Sequence, residues 1–225
     1  MKIIGIIGGP RGLKGSTGKL MLETLKAAVA EGAEVETITI PGGAAVNPCS
    51  ACDACHKTGV CPQKDDFELI KKKIMQSDAV VLASPNYIRS VSAQLKAFLD
   101  RCCGVIHCMS FEGKYGAAVV TSGGGEEQEV ADYINNFLIT TGITPVGSVC
   151  AVMGTITGDE FPREILDNAA ALGRKLVHDF NNKIISPEVA AAKSKFEDRM
   201  RWLMNYKKEE WPYEANYWKE HRNLS

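Results

Sequence analysis

Five short apolar runs, separated by helix-like stretches, constrain this chain more than anything else in it. The runs are Lys2–Ile7, Val35–Ile40, Asp78–Ala83, Lys114–Val120 and Ile143–Val152. Continuous β-branched runs such as Lys2–Ile7 belong to strands buried on both faces. Val35–Ile40 alternates apolar and polar residues, the pattern of an edge strand. The stretches between carry apolar residues at helical spacing. Leu20, Leu22, Leu25, Ala28 and Val29 mark the first helix, which ends near Gly32. Phe67–Gln76 is expected to turn Leu69, Ile70 and Ile74 inward, and Ser92–Arg101 to turn Leu95, Phe98 and Leu99 inward. Further helices start at Glu126, with Val130, Ile134, Phe137 and Leu138 inward, and span Phe161–Phe180. Strand–helix alternation of this kind predicts a doubly wound parallel sheet with right-handed crossovers.

The loops that follow three of the strands carry ligand-binding chemistry. The first reads Gly8-Gly9-Pro10-Arg11-Gly12-Leu13-Lys14-Gly15-Ser16-Thr17-Gly18 and opens a helix. Backbone N–H groups and the helix dipole favour a phosphate there, and Arg11, Ser16 and Thr17 offer side-chain donors. Neither G-x4-G-K-[ST] nor G-x-G-x-x-G fits any register. A hydroxyl-rich loop after the first strand suits a mononucleotide monophosphate, as in the flavodoxin-like order, where FMN sits at the switch point. The second loop is Ser84-Pro85-Asn86-Tyr87-Ile88. Pro85 lacks an N–H for a central ladder, so the chain is expected to turn there, with Tyr87 flanking a flat ring and Asn86 offering its amide. The third loop is Thr121-Ser122-Gly123-Gly124-Gly125, where consecutive glycines permit close approach of a ligand. A plain glycine-rich turn and an ordinary core tyrosine are the bland alternatives.

Between the second strand and the next helix lie Cys49, Cys52, Cys55 and Cys61, spaced x2, x2, x5, with Pro62 after the last. Three thiols at two-residue gaps let one loop wrap a soft metal centre, and the fourth closes the coordination sphere. Ferredoxin runs share the first spacings and a Cys-Pro ending, so the run is read as a [4Fe–4S] loop. Zinc, a disulfide knot and a metal-free flavin loop are competing readings. Gly59 suits a positive-φ turn between the third and fourth ligands. Cys102, Cys103 and Cys108 lack ligand spacing and read as small buried residues. His107 reads as a structural histidine, and His56 as a residue that tunes the cysteine loop. No residue stands out as a general acid or base.

The chain has 225 residues, eight cysteines and a formal net charge of −1. That balance implies no nucleic-acid or other polyanion partner. No apolar run reaches membrane-spanning length, and the cysteine usage fits a reducing cytoplasm. Residues 1–185, including the cysteine loop 47–62, are expected to form one domain. From Ser186 the composition changes, and residues 186–225 are expected to form an interface arm or lid. Phe196–Trp218 holds Trp202, Trp211, Trp218, Tyr206, Tyr213 and Tyr217 among interleaved charges. Aromatic density of this kind is typical of interfaces. Packing on another subunit is favoured over packing on its own domain.

These motifs together resemble the iron–sulfur flavoprotein family, a branch of the NAD(P)H-dependent FMN reductase and flavodoxin-like superfamily. Gly8-Gly9-Pro10-Arg11 with Ser16-Thr17 is similar to the family's G-S-P-R start, with Gly9 in place of the usual Ser. Cys49, Cys52, Cys55 and Cys61 fit C-x2-C-x2-C-x4–7-C, and Ser84-Pro85-Asn86-Tyr87 fits S-P-x-Y. Gln94–Phe98 and Asp100-Arg101 resemble the helix that follows. The resemblance implies a five-stranded flavodoxin-like fold and FMN held by Gly9, Pro10, Arg11, Ser16, Thr17, Gly18 and the two later loops. It also implies a [4Fe–4S] cluster on the four cysteines and a homo-oligomer, dimer or tetramer. The implied activity is an oxidoreductase linking a two-electron partner, NAD(P)H or a small molecule, to a one-electron carrier such as ferredoxin. A non-enzymatic electron carrier and an FMN or quinone reductase without a cluster are the alternatives.

Overall fold

Each of the five runs becomes one strand in the computed structural model, which describes residues 1–156 and 160–224. The strands are β1 (Lys2–Gly8), β2 (Glu34–Ile40), β3 (Ala79–Pro85), β4 (Tyr115–Ser122) and β5 (Thr144–Val152). All pair in parallel, in the order β2-β1-β3-β4-β5. Ile6 pairs with Ile38 on one side and Leu82 on the other. Alternation along the strands divides the core into two layers. Ile4 and Ile6 face α3 (Phe67–Met75), α4 (Ala93–Arg101) and α6 (Glu127–Thr140), through Phe67, Ile70, Leu95, Phe98 and Ile134. Ile3 and Ile7 face α1 (Ser16–Ala30) and α7 (Arg163–Asn182), through Leu20, Leu25, Leu172 and Leu176. Removing each such side chain from water contributes about 1.5–3 kcal/mol.

Three local expectations are corrected. Leu69 is 51% exposed; α3 starts at Phe67, and Phe67, Ile70 and Ile74 form its buried stripe, leaving Leu69 on the solvent face. Pro85 does not break β3. It closes the strand opposite Thr121, at a terminal position where a missing donor is tolerated. Cys103 is only partly buried, unlike Cys102 and Cys108.

Two short helices, α2 (Ala54–Thr58) and α5 (Cys103–Cys108), flank the cysteine loop. The C-terminal stretch forms α8 (Pro187–Lys207) and α9 (Pro212–Arg222). Ser186 caps α8 by accepting the Val189 N–H, with Pro187 at a first-turn position where a missing N–H costs nothing. Part of the tail packs on its own domain. Trp218 is fully buried and its Nε1–H donates to the His107 carbonyl at 2.9 Å. Met200, Met204 and Leu224 complete a small third core around it. The reason is that α9 carries a buried face, Glu214, Ala215, Trp218 and Arg222, matched to α2 and α5. Among the described residues no helix is long and apolar enough to cross a membrane.

Candidate functional site

The parallel sheet places the ends of β1, β3 and β4 side by side, and their loops converge there. After β1 the chain makes a 3-10 turn at Gly12–Lys14 and enters α1 through Gly15, where no side chain caps the helix. Among the described residues, the first-turn N–H groups are therefore free for an anion. Gly18 is required by close approach: a Cβ there would meet the Gly12 carbonyl oxygen at 2.4 Å. Gly9, Pro10, Arg11, Ser16, Thr17, Pro85 and Tyr87 line one cleft, which joins the first and second loops.

The third loop is tied to the other two. The hydroxyls of Thr17 and Thr121 are 2.5 Å apart and buried. Asn86 donates its backbone N–H to the Thr121 carbonyl and its side-chain Nδ2–H to the Gly125 carbonyl, at 2.7 and 2.9 Å. Its Oδ1 is buried with no partner among the described residues, an acceptor left over for a ligand donor. Cβ atoms built on Gly123, Gly124 or Gly125 would meet nothing within 4 Å, so this loop borders open space. Tyr87 and Ile88 are exposed beside it, Ile88 with a left-handed φ of 53°. An uncapped helix N-terminus, an orphaned amide acceptor and a free glycine loop at one sheet edge fit a flavin mononucleotide.

Two expected contacts turn into the fold instead. Ser84 is fully buried; its hydroxyl accepts from the Ser92 N–H at 2.8 Å and donates to the Pro85 carbonyl. Ser122 donates its hydroxyl to Glu127 and accepts the Gly125 N–H. Both residues shape the loops rather than offering a hydroxyl to a ligand.

The cysteine loop lies in the β2–α3 connection, and its four thiols line one cavity of about 180 Å³. Left-handed φ values at Ala51 (51°), Asp53 (57°) and Gly59 (76°) wind the chain around it. Gly59 is needed twice over, because a Cβ there would also strike the Tyr213 ring. The Ala51 N–H donates to Cys49 Sγ at 3.4 Å. Hydrogen bonds from the Ala54 backbone, then from the Ser50 hydroxyl, lower the Cys52 thiol below its ordinary range. On α4, Arg101 donates Nη2–H to Cys61 Sγ at 3.1 Å. Its Nη1 pairs with Asp65, whose carboxylate also accepts the Asn47 N–H at 2.9 Å. Burial opposes the Asp65 charge, yet Arg101 and the backbone donors hold the carboxyl below its usual value. Arg101 Nε is buried without a partner among the described residues. A buried cation with a spare donor beside four thiols is the surrounding an anionic thiolate centre needs.

Sequence reasoning missed the far wall of this cavity, which Cys103 and His56 line together with the loop cysteines. Glu214 of α9, with a fully buried side chain, joins His56 Nδ1 through Oε1 at 2.6 Å and His107 Nδ1 through Oε2 at 3.0 Å. The Trp211 ring stacks on both imidazoles, with centroids at 4.5 and 5.0 Å. Hydrogen bonds with His107, then His56, pull the Cys103 thiol down to about 6. Burial works against a charged His107, but Cys103 and Glu214 carry it up to about 9. Cys103, Cys55 and Glu214 raise His56, while burial alone would raise Glu214, which the two histidines hold down instead. The spacing Cys103-x3-His107, one helical turn, was the signal available in the sequence.

A family model described as NADPH-dependent FMN reductase matches residues 1–158. A protein of Archaeoglobus fulgidus named iron-sulfur flavoprotein is 40% identical over 184 residues, covering 81% of this chain and 82% of its own. The chain belongs to the iron–sulfur flavoprotein family. A Methanocaldococcus jannaschii protein also named iron-sulfur flavoprotein is 39% identical over 62% of this chain and 72% of its own length. Among solved structures, a flavone reductase superposes with a TM-score of 0.63 at 18% identity, covering 80% of this chain and 63% of its own. An archaeal flavodoxin reaches 0.54 at 15% identity, covering 80% and 98%. These two share the flavodoxin-like fold. As a member of the iron–sulfur flavoprotein family, the chain is a flavin-dependent oxidoreductase of the FMN reductase type, and FMN is its flavin.

Proposed function

We propose that this flavoprotein couples FMN to a [4Fe–4S] cluster held by Cys49, Cys52, Cys55 and Cys61. It would thereby pass electrons between a two-electron partner, NAD(P)H or a small molecule, and a one-electron carrier such as ferredoxin. The observation that carries the reading is the convergence of all four thiols on one cavity whose wall supplies a buried arginine hydrogen-bonded to Cys61. The relatives' printed names support it. FMN supplies two-electron and one-electron chemistry, and an iron–sulfur cluster one-electron chemistry. The chain's own residues do the rest. The first turn of α1, with Arg11, Ser16 and Thr17, holds the phosphate; Pro85, Asn86 and Tyr87 and the loop from Thr121 to Gly125 hold the ring. Arg101 balances thiolate charge, and α9 shields the cluster loop from water through Trp211, Tyr213 and Glu214.

Residues 1–185 would form the flavin domain and residues 186–225 a lid over the cluster loop. Assembly into a homo-oligomer is part of the proposal, supported by the stacked and exposed Trp202 and Tyr206 on α8. A reducing, cytoplasmic setting suits so many free thiols. The test is steady-state oxidation of NADH and NADPH under argon, with ferredoxin or a small one-electron dye as acceptor. Turnover that disappears in Cys55→Ser while FMN is retained supports the coupling. Undiminished one-electron transfer in that variant would show that the cysteine loop takes no part.

A further inference from the structure

The cluster of His56, Cys103, His107 and Glu214 at the far wall of the cysteine cavity is not accounted for by either cofactor. We propose that it is a second, mononuclear metal site for a borderline-soft divalent ion of the zinc class, with His56, Cys103 and His107 as ligands. Three observations lead there. One donor atom from each of the three residues lies within 4.8 Å of the others. Glu214 occupies Nδ1 of both histidines, at 2.6 and 3.0 Å, which leaves Nε2 of each ring to face an ion, with an Asp53 carboxylate oxygen 3.9 Å from His56 Nε2. Metal-ligating histidines almost always donate their other ring nitrogen to a carboxylate or carbonyl in this way. Finally, Cys103 Sγ and His107 Nε2 are 3.7 Å apart. Tetrahedral zinc with its usual bonds to sulfur and nitrogen sets such a pair about 3.6 Å apart.

Charge balance favours the same assignment. Glu214 is buried completely and His56 almost so. A divalent cation, a thiolate from Cys103 and the Glu214 carboxylate sum to zero with both imidazoles neutral, so burial of the site carries no net charge. Two nitrogens and one sulfur make a donor set that suits zinc over magnesium or calcium. The three ligands come from α2 and α5, and Glu214 comes from α9. An ion here would therefore clamp the C-terminal helix to the cluster loop. His56 and Cys103 also line the cysteine cavity, which leaves the fourth coordination position on that side.

The proposal does not depend on what the four loop cysteines hold, and the experiment keeps the two apart. Anaerobically purified protein, with its iron retained, is titrated with zinc against a chromogenic chelator, and bound zinc and iron are both counted. About one tightly bound zinc per chain is expected with iron unchanged. Affinity should fall roughly 10–100-fold in Glu214→Gln, and stoichiometric binding should be lost in His107→Ala. Because His107→Ala also removes a hydrogen-bond partner of Glu214 on α9, zinc-edge X-ray absorption on the wild-type protein gives a second readout. A shell of two nitrogens at about 2.0 Å and one sulfur at about 2.3 Å is expected. An all-sulfur shell would place the zinc on the cysteine loop and overturn the assignment. So would equal zinc uptake by wild type and His107→Ala, or loss of iron in Cys103→Ala, which would make Cys103 a ligand of the cluster instead.

Discussion

Asp65 and Arg101 decide how firmly the cysteine loop is anchored. Both side chains are almost wholly buried, and the pair links α4 to the loop. Breaking a buried pair by neutralising one partner leaves an uncompensated charge, so Asp65→Asn is expected to cost about 3–5 kcal/mol near neutral pH. The sign with pH follows from the lowered carboxyl. A carboxylate depressed in the folded state contributes fully above its ordinary pKa, near 4, and loses that contribution as pH falls through its folded value. Urea titrations should therefore show the gap between wild type and Asp65→Asn closing below about pH 4; a constant gap would mean that the pair is not ionic. Thiol reactivity gives another residue-scale test. Burial pushes Cys102 and Cys108 well above the ordinary thiol range. Iodoacetamide near neutral pH should leave both unlabelled until the protein unfolds, as read by peptide mass spectrometry. Their burial was legible from the missing ligand spacing. Cys103 was set apart from them only by its one-turn spacing to His107; the other contact that lowers its thiol, His56, comes from a separate element, α2.

Among the elements, α1 and α9 border the sheet-edge cleft and the cysteine loop respectively. Substituting Gly18→Ala would drive a Cβ into the Gly12 carbonyl, displacing the turn that feeds the first N–H groups of α1. FMN affinity should fall at least tenfold, about 1.4 kcal/mol, while iron content holds. Fluorescence titration of the apoprotein with FMN reads this directly. In α9, Trp218→Ala removes the largest side chain of the third core, at a cost of about 3–5 kcal/mol. Because α9 covers the cysteine loop, iron held there should be lost faster under air while FMN stays bound; equal iron loss would mean that α9 does not protect the loop. The strands and the three sheet-edge loops were readable from local pattern, since β-branched runs and glycine clusters act within a few residues. Strand limits moved by only a residue or two, as at Pro85. Where the tail packs was not readable. Its aromatic residues mark a surface to be covered, but the partner is chosen by long-range fit of Trp218 and Glu214 to α5 and α2.

For the molecule as a whole, the topology brings the loops after β1, β3 and β4 and the cysteine-bearing connection after β2 to one end of the sheet. The β2-β1-β3-β4-β5 order puts β1 and β3 side by side at the switch point, where open α/β sheets bind their ligands. The connection leaving β2 carries the cysteines from that same end of the sheet. Five runs of residues therefore sufficed to read the fold, while the polar wall of the cysteine cavity emerged only from the packed structure. The most direct test of the flavin–cluster pairing is paired iron and flavin analysis with electron paramagnetic resonance, on anaerobically purified wild type and Cys55→Ser. About four irons per chain, one FMN and a reduced-cluster signal are expected for wild type, with iron and signal lost but FMN kept in the variant. Iron content and signal unchanged by Cys55→Ser, or stoichiometric zinc and no iron in wild type, would contradict it.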